Sequence, residues 1–313
     1  MRYGVFAIDC SKWARPVTAF VVAAAMVAGC GRAVWGQGAD VDAAHKRETL
    51  AAEMKQISEC LWASLGAGGA ARPLPMRREP LQCWSDPTMG IGESTLWAFG
   101  EHGRPVALVT MELSADRARG EDAQSWGLEF VLLTNEPLAV EGSNELRSRN
   151  APNSGNSKPV LGGDIHWTPS RPGLTFRDMP DAPPPAKTAQ SRLLQMKELV
   201  RRFSAVAHPT RQPSLLRLIP HPIDRYSDPE AGQIDGTIFF FSIGTNPEVM
   251  VLLEAQGPTV AKAAWRYAVA PLTVAPLEVA IDKRQVWSRE YHSEAANMPS
   301  GSYYTVRYPR LKP

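Results

Sequence analysis

Two segments of this sequence are related to each other, and that relation limits the folds open to the chain. Residues 80–113 align without gaps on residues 222–255, at a constant offset of 142. Ten of the 34 aligned positions are identical, whereas unrelated sequence of ordinary composition gives about two. After a three-residue deletion, residues 126–140 align on residues 265–279 with six further identities. The pattern indicates an internal duplication, and we expect two structural units of the same kind.

Each copy is predicted to begin with an amphipathic helix. Apolar residues recur there at three- and four-residue spacing, which places them on one face of a helix. They are Met54, Ile57, Leu61 and Leu65 in the first copy, and Met196, Leu199, Phe203 and Ala207 in the second. Such a stripe is typical of a helix that packs on a core.

Strands are predicted to follow each helix. Residues 95–99 and 237–243 are rich in β-branched and aromatic side chains, which favour strands, and both segments run into a turn. In the strand after that turn, alternate positions from 107 to 113 and from 249 to 255 are all apolar. Because side chains alternate between the two faces of a strand, we expect this set to face the helix.

The opposite face of each predicted sheet is only partly polar. Leu108, Met250 and Leu252 would lie on it. Because an exposed apolar face of this size is rare, we expect the two units to pack on each other, or on a partner, through these faces.

The predicted fold class is α+β, in which a helix and a four- to five-stranded antiparallel sheet form a unit that is used twice. In shape alone this layout is similar to cystatin-like folds. The predicted boundaries are a signal peptide at 1–29, a tether at 30–48, a first repeat at 49–177, a Pro-rich linker at 178–190, a second repeat at 191–290 and a C-terminal tail at 291–313.

The N-terminal region has the pattern of an export signal. Basic residues precede an uncharged run of thirteen residues, 17–29, which is shorter than the roughly 20 residues needed to span a bilayer. The run ends in Val27-Ala28-Gly29-Cys30, which resembles the lipobox of bacterial lipoproteins. The resemblance implies that Cys30 carries a lipid and becomes the mature N-terminus. An ordinary secretory signal cleaved nearby is the alternative.

Net charge restricts the partners of the chain. With 34 Lys and Arg against 32 Asp and Glu, the net charge is +2. The sequence has no run of basic residues interleaved with aromatics, so we expect no binding to nucleic acid. The expected partners are a membrane, reached through the N-terminal lipid, and an unknown envelope protein or ligand.

A second resemblance rests on motifs in the second copy. They are Asp235-Gly236-Thr237-Ile238-Phe239, Gly244-Thr245-Asn246-Pro247-Glu248-Val249, Leu252-Leu253-Glu254-Ala255 and Trp265-Arg266-Tyr267-Ala268. Together they resemble an uncharacterised family of exported planctomycete proteins, over roughly residues 50–290. The resemblance implies export and carries no activity to this chain.

The cysteines predict one disulfide at most. If Cys10 is removed with the signal and Cys30 carries lipid, then Cys60 and Cys83 remain in an oxidising compartment, where a disulfide can persist. The aligned positions in the second copy are arginines, 202 and 225, which argues that the two sites are apart or solvent-facing. The sequence leaves both alternatives open.

Few residues are candidates for chemistry. Glu112 and Glu254 are aligned, and if their sheet faces met they could form a pair of carboxylates able to perform acid–base catalysis. None of the six histidines has metal-ligand spacing or a histidine at the aligned position, so surface and loop roles are favoured. No catalytic residue, metal or cofactor is predicted.

Three functions are consistent with these features. The leading hypothesis is an exported, lipid-anchored envelope protein that binds or scaffolds another component without catalysis. The alternatives are an extracytoplasmic, hydrolase-like enzyme with a site between the two repeats, or a carrier of a small apolar ligand. A cleft with titratable groups from both units would favour the enzyme, and a closed apolar cavity the carrier.

Overall fold

A computed structural model of the chain describes residues 37–86, 90–116, 118–120, 123–143 and 162–310. The predicted signal peptide and the predicted lipid attachment site, Cys30, lie outside these residues. In the first half the elements are α1 (Gln37–Glu59), β1 (Leu61–Leu65), β2 (Arg72–Leu74), β3 (Gln82–Asp86), β4 (Ile91–Phe99), β5 (Ala107–Ala115), β6 (Gln124–Leu132), β7 (Leu138–Gly142) and β8 (Ile165–Trp167).

In the rest of the chain the elements are β9 (Arg177–Asp178), α2 (Ala189–Val200), β10 (Phe203–Ala207), β11 (Ser214–Leu215), β12 (Arg217–Leu218), β13 (Asp224–Asp228), β14 (Gln233–Ile243), β15 (Asn246–Gln256), β16 (Ala264–Pro271), β17 (Leu277–Ile281), β18 (Arg284–Arg289) and β19 (Tyr303–Pro309). Two short 3-10 helices lie at Gly68–Ala70 and Val260–Lys262.

Within the described part of the chain, the strands form four antiparallel sheets. The first central sheet has the order β19-β6-β5-β4-β3, and the second central sheet has the order β12-β14-β15-β16-β9, with β13 also paired to β14. The two smaller sheets have the orders β2-β1-β7-β8 and β11-β10-β17-β18. The four sheets lie in a four-blade, propeller-like arrangement.

The predicted α+β fold class, a helix-plus-sheet unit used twice, is wrong. The structure is mostly strand, 47% against 13% helix, and the described residues form two α-helices and four sheets. One cause lies in the apolar spacing after each helix. Leu61 and Leu65 lie four residues apart, which fits a helix face, but with buried Ala63 between them they also fit one face of a strand. They belong to β1, and the aligned Phe203 and Ala207 belong to β10.

Strands in the two halves nevertheless have related bounds. β1 and β10, and likewise β3 and β13, begin and end at positions that differ by 142. β7 and β17 differ by the 139 that follows the three-residue deletion. The same order of strands therefore occurs in both halves.

The predicted assignment of faces in the central sheets is confirmed. Alternate positions from 107 to 113 pack with α1, and those from 249 to 255 pack with α2. The opposite faces, with Leu108, Met250 and Leu252, pack against each other. We call this contact between the two central sheets the central interface.

The segment after residue 290, expected to be a tail, contributes to the fold. β19 pairs with β6 over its whole length, from Tyr303 opposite Val131 to Pro309 opposite Ser125. The last described strand of the chain thereby forms an edge of the first central sheet.

Candidate functional site

A row of paired residues crosses the second central sheet from strand to strand, on the sheet face that lies at the central interface. The strand register pairs Tyr226 with Gly236, Gly236 with Glu254, Glu254 with Arg266, and Arg266 with Asp178. Directly paired residues project from the same face of a sheet. The row therefore presents a phenol, two carboxylates and a guanidinium on one surface.

Glu254 is the centre of this row and is fully buried. Its Oε1 accepts hydrogen bonds from Tyr226 Oη at 2.8 Å and from Arg104 Nη1 at 2.9 Å. Its Oε2 accepts from Arg104 Nη1 at 3.1 Å and from Gln256 Nε2 at 2.6 Å. A buried carboxylate is tolerated when it is paired and hydrogen-bonded, and Glu254 meets both conditions.

Arg104 reaches Glu254 from the other half of the chain. It lies in the turn between β4 and β5, and its backbone N–H donates to Gln233 Oε1 at 3.2 Å. Gly103, before it, has a φ of 66°, a left-handed conformation that glycine adopts readily. A Cβ at Gly103 would lie 3.3 Å from Cβ of Asp228, so the turn approaches the second half closely.

Arg77 fixes the same turn. It donates to the carbonyl oxygens of Gly100 and Gly103 at 2.9 and 3.4 Å. Its Nη1 lies 2.8 Å from Oδ2 of Asp224 in the second half. The turn that carries Arg104 is thus held by hydrogen bonds within its own half and by an ion pair across the central interface.

An open cleft of about 980 Å³ lies beside Arg104. The cleft combines polar groups with apolar surface. Its lining comprises Arg104, Asn135, Pro172, Leu174, Thr175, Phe176, Pro229, Glu230, Ala231, Gly232, Gln233, Gln256, Gly257, Pro258 and Arg266. The first half, the connection that precedes β9 and the second half all contribute.

The two arginines that line the cleft, Arg104 and Arg266, each use some of their N–H groups in hydrogen bonds and have others that bind no described residue. The guanidinium of Arg104 lies 4.8 Å from the centre of the Phe176 ring and bonds Glu254 through Nη1 alone. Arg266 donates from Nε to Asp178 at 3.1 Å and from Nη1 to Gln256 Oε1 at 3.2 Å. Among the described residues, Arg104 Nε and Nη2 and Arg266 Nη2 have no hydrogen-bond partner.

The reciprocal row crosses the first central sheet. The register pairs Trp84 with Ser94, Ser94 with Glu112, Glu112 with Gly127, and Gly127 with Arg307. Asn246, at the position aligned with Arg104, accepts from Trp84 Nε1 at 3.2 Å and donates to Glu248 at 2.9 Å. Asn246 is uncharged, so it cannot form with Glu112 the ion pair that Arg104 forms with Glu254.

Glu112 instead belongs to a group of acidic side chains from both halves, which we call the acidic cluster: Glu112, Glu129 and Glu248. Burial raises the pKa of Glu112 to about 7, although Arg307 acts to lower it. Burial also raises the pKa of Glu248 to about 7, and Glu112 contributes to the rise. Burial and the neighbouring charge of Glu112 raise the pKa of Glu129 well above its ordinary value.

Aromatic and basic side chains adjoin the acidic cluster. The Arg289 guanidinium lies 4.6 Å from the centre of the Tyr303 ring, and the ring of His292 packs on the same tyrosine edge to face at 4.8 Å. Arg289 also donates to the carbonyl oxygen of Thr273. Burial lowers the pKa of Arg289, whose charge acts to lower the pKa of Glu129.

The two glutamates predicted from the sequence have different partners. Glu254 is bound by Arg104, Tyr226 and Gln256, whereas Glu112 adjoins Glu129 and Glu248. Among the described residues, no hydrogen bond or ion pair joins Glu112 to Glu254. The structure therefore places each in its own cluster.

The two cysteines for which the sequence leaves a bridge open are both buried. Cys60 follows the end of α1 and belongs to the core beneath it, and Cys83 lies in β3 opposite Thr95. Thr95 Oγ1 lies 3.4 Å from the sulfur of Met54 on α1, so Cys83 projects from the face covered by this helix. The bridge between them stays a prediction.

Sequence reasoning missed the cleft and two members of the acidic cluster. A signal was present in the alignment of the copies. In that alignment Arg104 corresponds to Asn246, Arg266 to Gly127, and Glu248 to Val106. In a duplicated fold, positions at which the charge differs between copies mark the places where one copy has gained a property that the other lacks.

The described residues contain no group of three side chains suited to hold a metal ion. None of the α-helices within those residues is long and apolar enough to cross a membrane. Comparison of the chain with protein-family models, with curated proteins and with solved structures finds no match.

Proposed function

We propose that this protein is an exported, non-enzymatic binding protein whose ligand is a small polar molecule held in the cleft beside Arg104. One observation carries the proposal: each arginine of the cleft is hydrogen-bonded to a carboxylate through some of its N–H groups, and its other N–H groups bind no described residue. Fixing polar groups before a ligand arrives lowers the entropy cost of binding. The cleft volume of about 980 Å³ lies at the upper end of the range for small-molecule sites.

The alternative functions receive less support. The acidic cluster offers carboxyl groups with raised pKa values, as acid–base catalysis requires. The cleft, however, lies beside Glu254, whose carboxylate is already paired with Arg104. An apolar carrier would need space between helix and sheet, where Met54, Phe99 and Phe130 are packed at full burial.

Filling the cleft tests the binding function. Ala231 is an exposed lining residue, so Ala231→Trp adds bulk to the cleft without removing a buried contact. We expect a thermal-shift screen of small polar molecules to identify ligands that raise the Tm of the wild type. These ligands should no longer stabilise Ala231→Trp, whereas Ala71→Trp, at an exposed loop position of the first half, should respond as the wild type does. Stabilisation that persists in Ala231→Trp would contradict the proposal.

Export with a lipid anchor is part of the same proposal and is supported by the pattern at 17–30. We expect labelled palmitate to be incorporated in bacterial cells that express the full chain, and incorporation to be lost in Cys30→Ala. Label that persists in Cys30→Ala would show that the anchor is not at this cysteine. Failure of this part leaves the cleft unaffected.

A further inference from the structure

The charges around the cleft are nearly balanced. Arg104 is paired with Glu254 at 2.9 Å, and Arg266 with Asp178 at 3.1 Å. Glu254 and Asp178 are not themselves lining residues, whereas Glu230 does line the cleft and forms no ion pair with a described residue. When these two partners are counted with the lining, two guanidinium groups are matched by three carboxylates, so the site as a whole offers an anionic ligand no excess of positive charge. This balance favours a neutral ligand.

The open hydrogen-bonding groups are of both kinds. Arginine can only donate, and the carboxylate of Glu230 can only accept. Asn135 and Gln233 each carry an amide that donates and accepts, and the Nε2 of Gln233 makes no hydrogen bond to a described residue. Hydroxyl groups match such a lining because each of them both donates and accepts.

Apolar surface lies between these polar groups. Phe176 and Leu174 line the cleft together with Pro172, Pro229 and Pro258. Phe176 is partly exposed, with Arg104 over its ring. A ligand with C–H faces as well as hydroxyl edges would contact both kinds of surface, as amphipathic rings do.

From these features we infer that the cleft binds a neutral oligosaccharide. A saccharide presents hydroxyl groups along its edges and C–H groups on its ring faces, and it carries no charge that the balanced lining would have to neutralise. The volume of about 980 Å³ leaves room for more than one sugar ring. The inference rests on the proposed binding function and specifies its ligand class.

Calorimetric titration of the purified protein with cellotetraose, maltotetraose and fully N-acetylated chitotetraose tests this inference, with inorganic phosphate as an anionic probe. We expect at least one tetrasaccharide to bind and phosphate not to bind. Glu230→Gln keeps the shape of the side chain and removes its charge. Because hydrogen bonds to charged groups are stronger than neutral ones, this variant should weaken tetrasaccharide binding about fivefold. Glu198→Gln, on the exposed face of α2, is the matched control and should leave the Kd unchanged.

The alternative outcomes are distinct. Phosphate binding that becomes tighter in Glu230→Gln would overturn the saccharide and preserve the binding function, since removing a negative charge helps an anion. Failure of all three tetrasaccharides to bind would also overturn the saccharide. The binding function itself falls only if the thermal-shift screen finds no ligand that depends on an open cleft.

Discussion

At the scale of single residues, a glycine decides how Glu254 is bound. A Cβ at Gly236 would lie 2.4 Å from Cε2 of Tyr226, so the phenol ring reaches Glu254 only by passing directly over the glycine. In the first half the aligned residue is Ser94, and Trp84 bonds Asn246 instead. The difference in size between Gly236 and Ser94 thus accompanies a difference in bonding: Tyr226 binds Glu254, whereas Trp84 does not bind the aligned Glu112 but Asn246.

Replacing this glycine with the residue of the other half should break the arrangement. In Gly236→Ser the Tyr226 ring would be displaced and Glu254 would lose a buried hydrogen bond, at a cost of about 2 kcal/mol or more in the free energy of unfolding. Gly69→Ser is the matched control, because a Cβ at Gly69 has no atom within 4 Å, and its effect should stay within about 0.5 kcal/mol. Urea denaturation measures both. Equal stability of the two variants would refute this role for Gly236.

At the scale of elements, the acidic cluster joins strands of the two central sheets. Glu112 and Glu129 lie on β5 and β6 of the first half, and Glu248 lies on β15 of the second. Glu248 is 4% exposed, and burial is the main cause of its raised pKa of about 7, to which Glu112 and Asp86 contribute. Contact between the central sheets therefore brings together carboxyl groups whose pKa values are raised.

This arrangement makes the fold less stable as the pH rises. A carboxyl group with a higher pKa in the folded state stabilises the protein fully below its unfolded pKa of 4.5, and this contribution is lost as the pH rises through the folded pKa of about 7. For Glu248 the loss is on the order of 3 kcal/mol, at about 1.36 kcal/mol per pKa unit. Glu248→Gln should therefore reduce the fall in unfolding free energy between about pH 5 and pH 8. Denaturant titrations at both pH values measure it, with Glu198→Gln as the control, and an unchanged fall in Glu248→Gln would exclude this role.

In the central sheets β4 and β5, and the aligned β14 and β15, could be predicted from the sequence, because both copies carry the same alternation. β1 and β10 could not, since Leu61 and Leu65 satisfy the helix period and the strand period alike. The shortest strands of the smaller sheets, such as β2 and β11, were missed because they have two or three residues and no pattern of their own. The cleft was missed because its residues are far apart in the chain and meet only when the sheets pack.

At the scale of the whole molecule, the two halves share a buried interface, and the last described strand, β19, pairs with a strand of the first half. β19 adds Tyr303, Tyr304 and Tyr308 to the first half from beyond the end of the second. Arg77 pairs with Asp224 across the central interface. The cleft is lined by both halves, so its shape depends on their packing, and a ligand there would stabilise the contact between them.

Hydrogen exchange with and without the tightest-binding tetrasaccharide tests the central claim of a binding cleft most directly. Ligand in the cleft should slow amide exchange in residues 231–233, 256–257 and 173–176, which line it or adjoin it. The reciprocal turn at 244–246, which contacts Trp84 and Asp86 instead, should exchange at an unchanged rate. Slowing at 244–246 with no change at 231–233 would contradict binding in the cleft, because the ligand would then lie beside the acidic cluster, where Asn246 bonds Glu248.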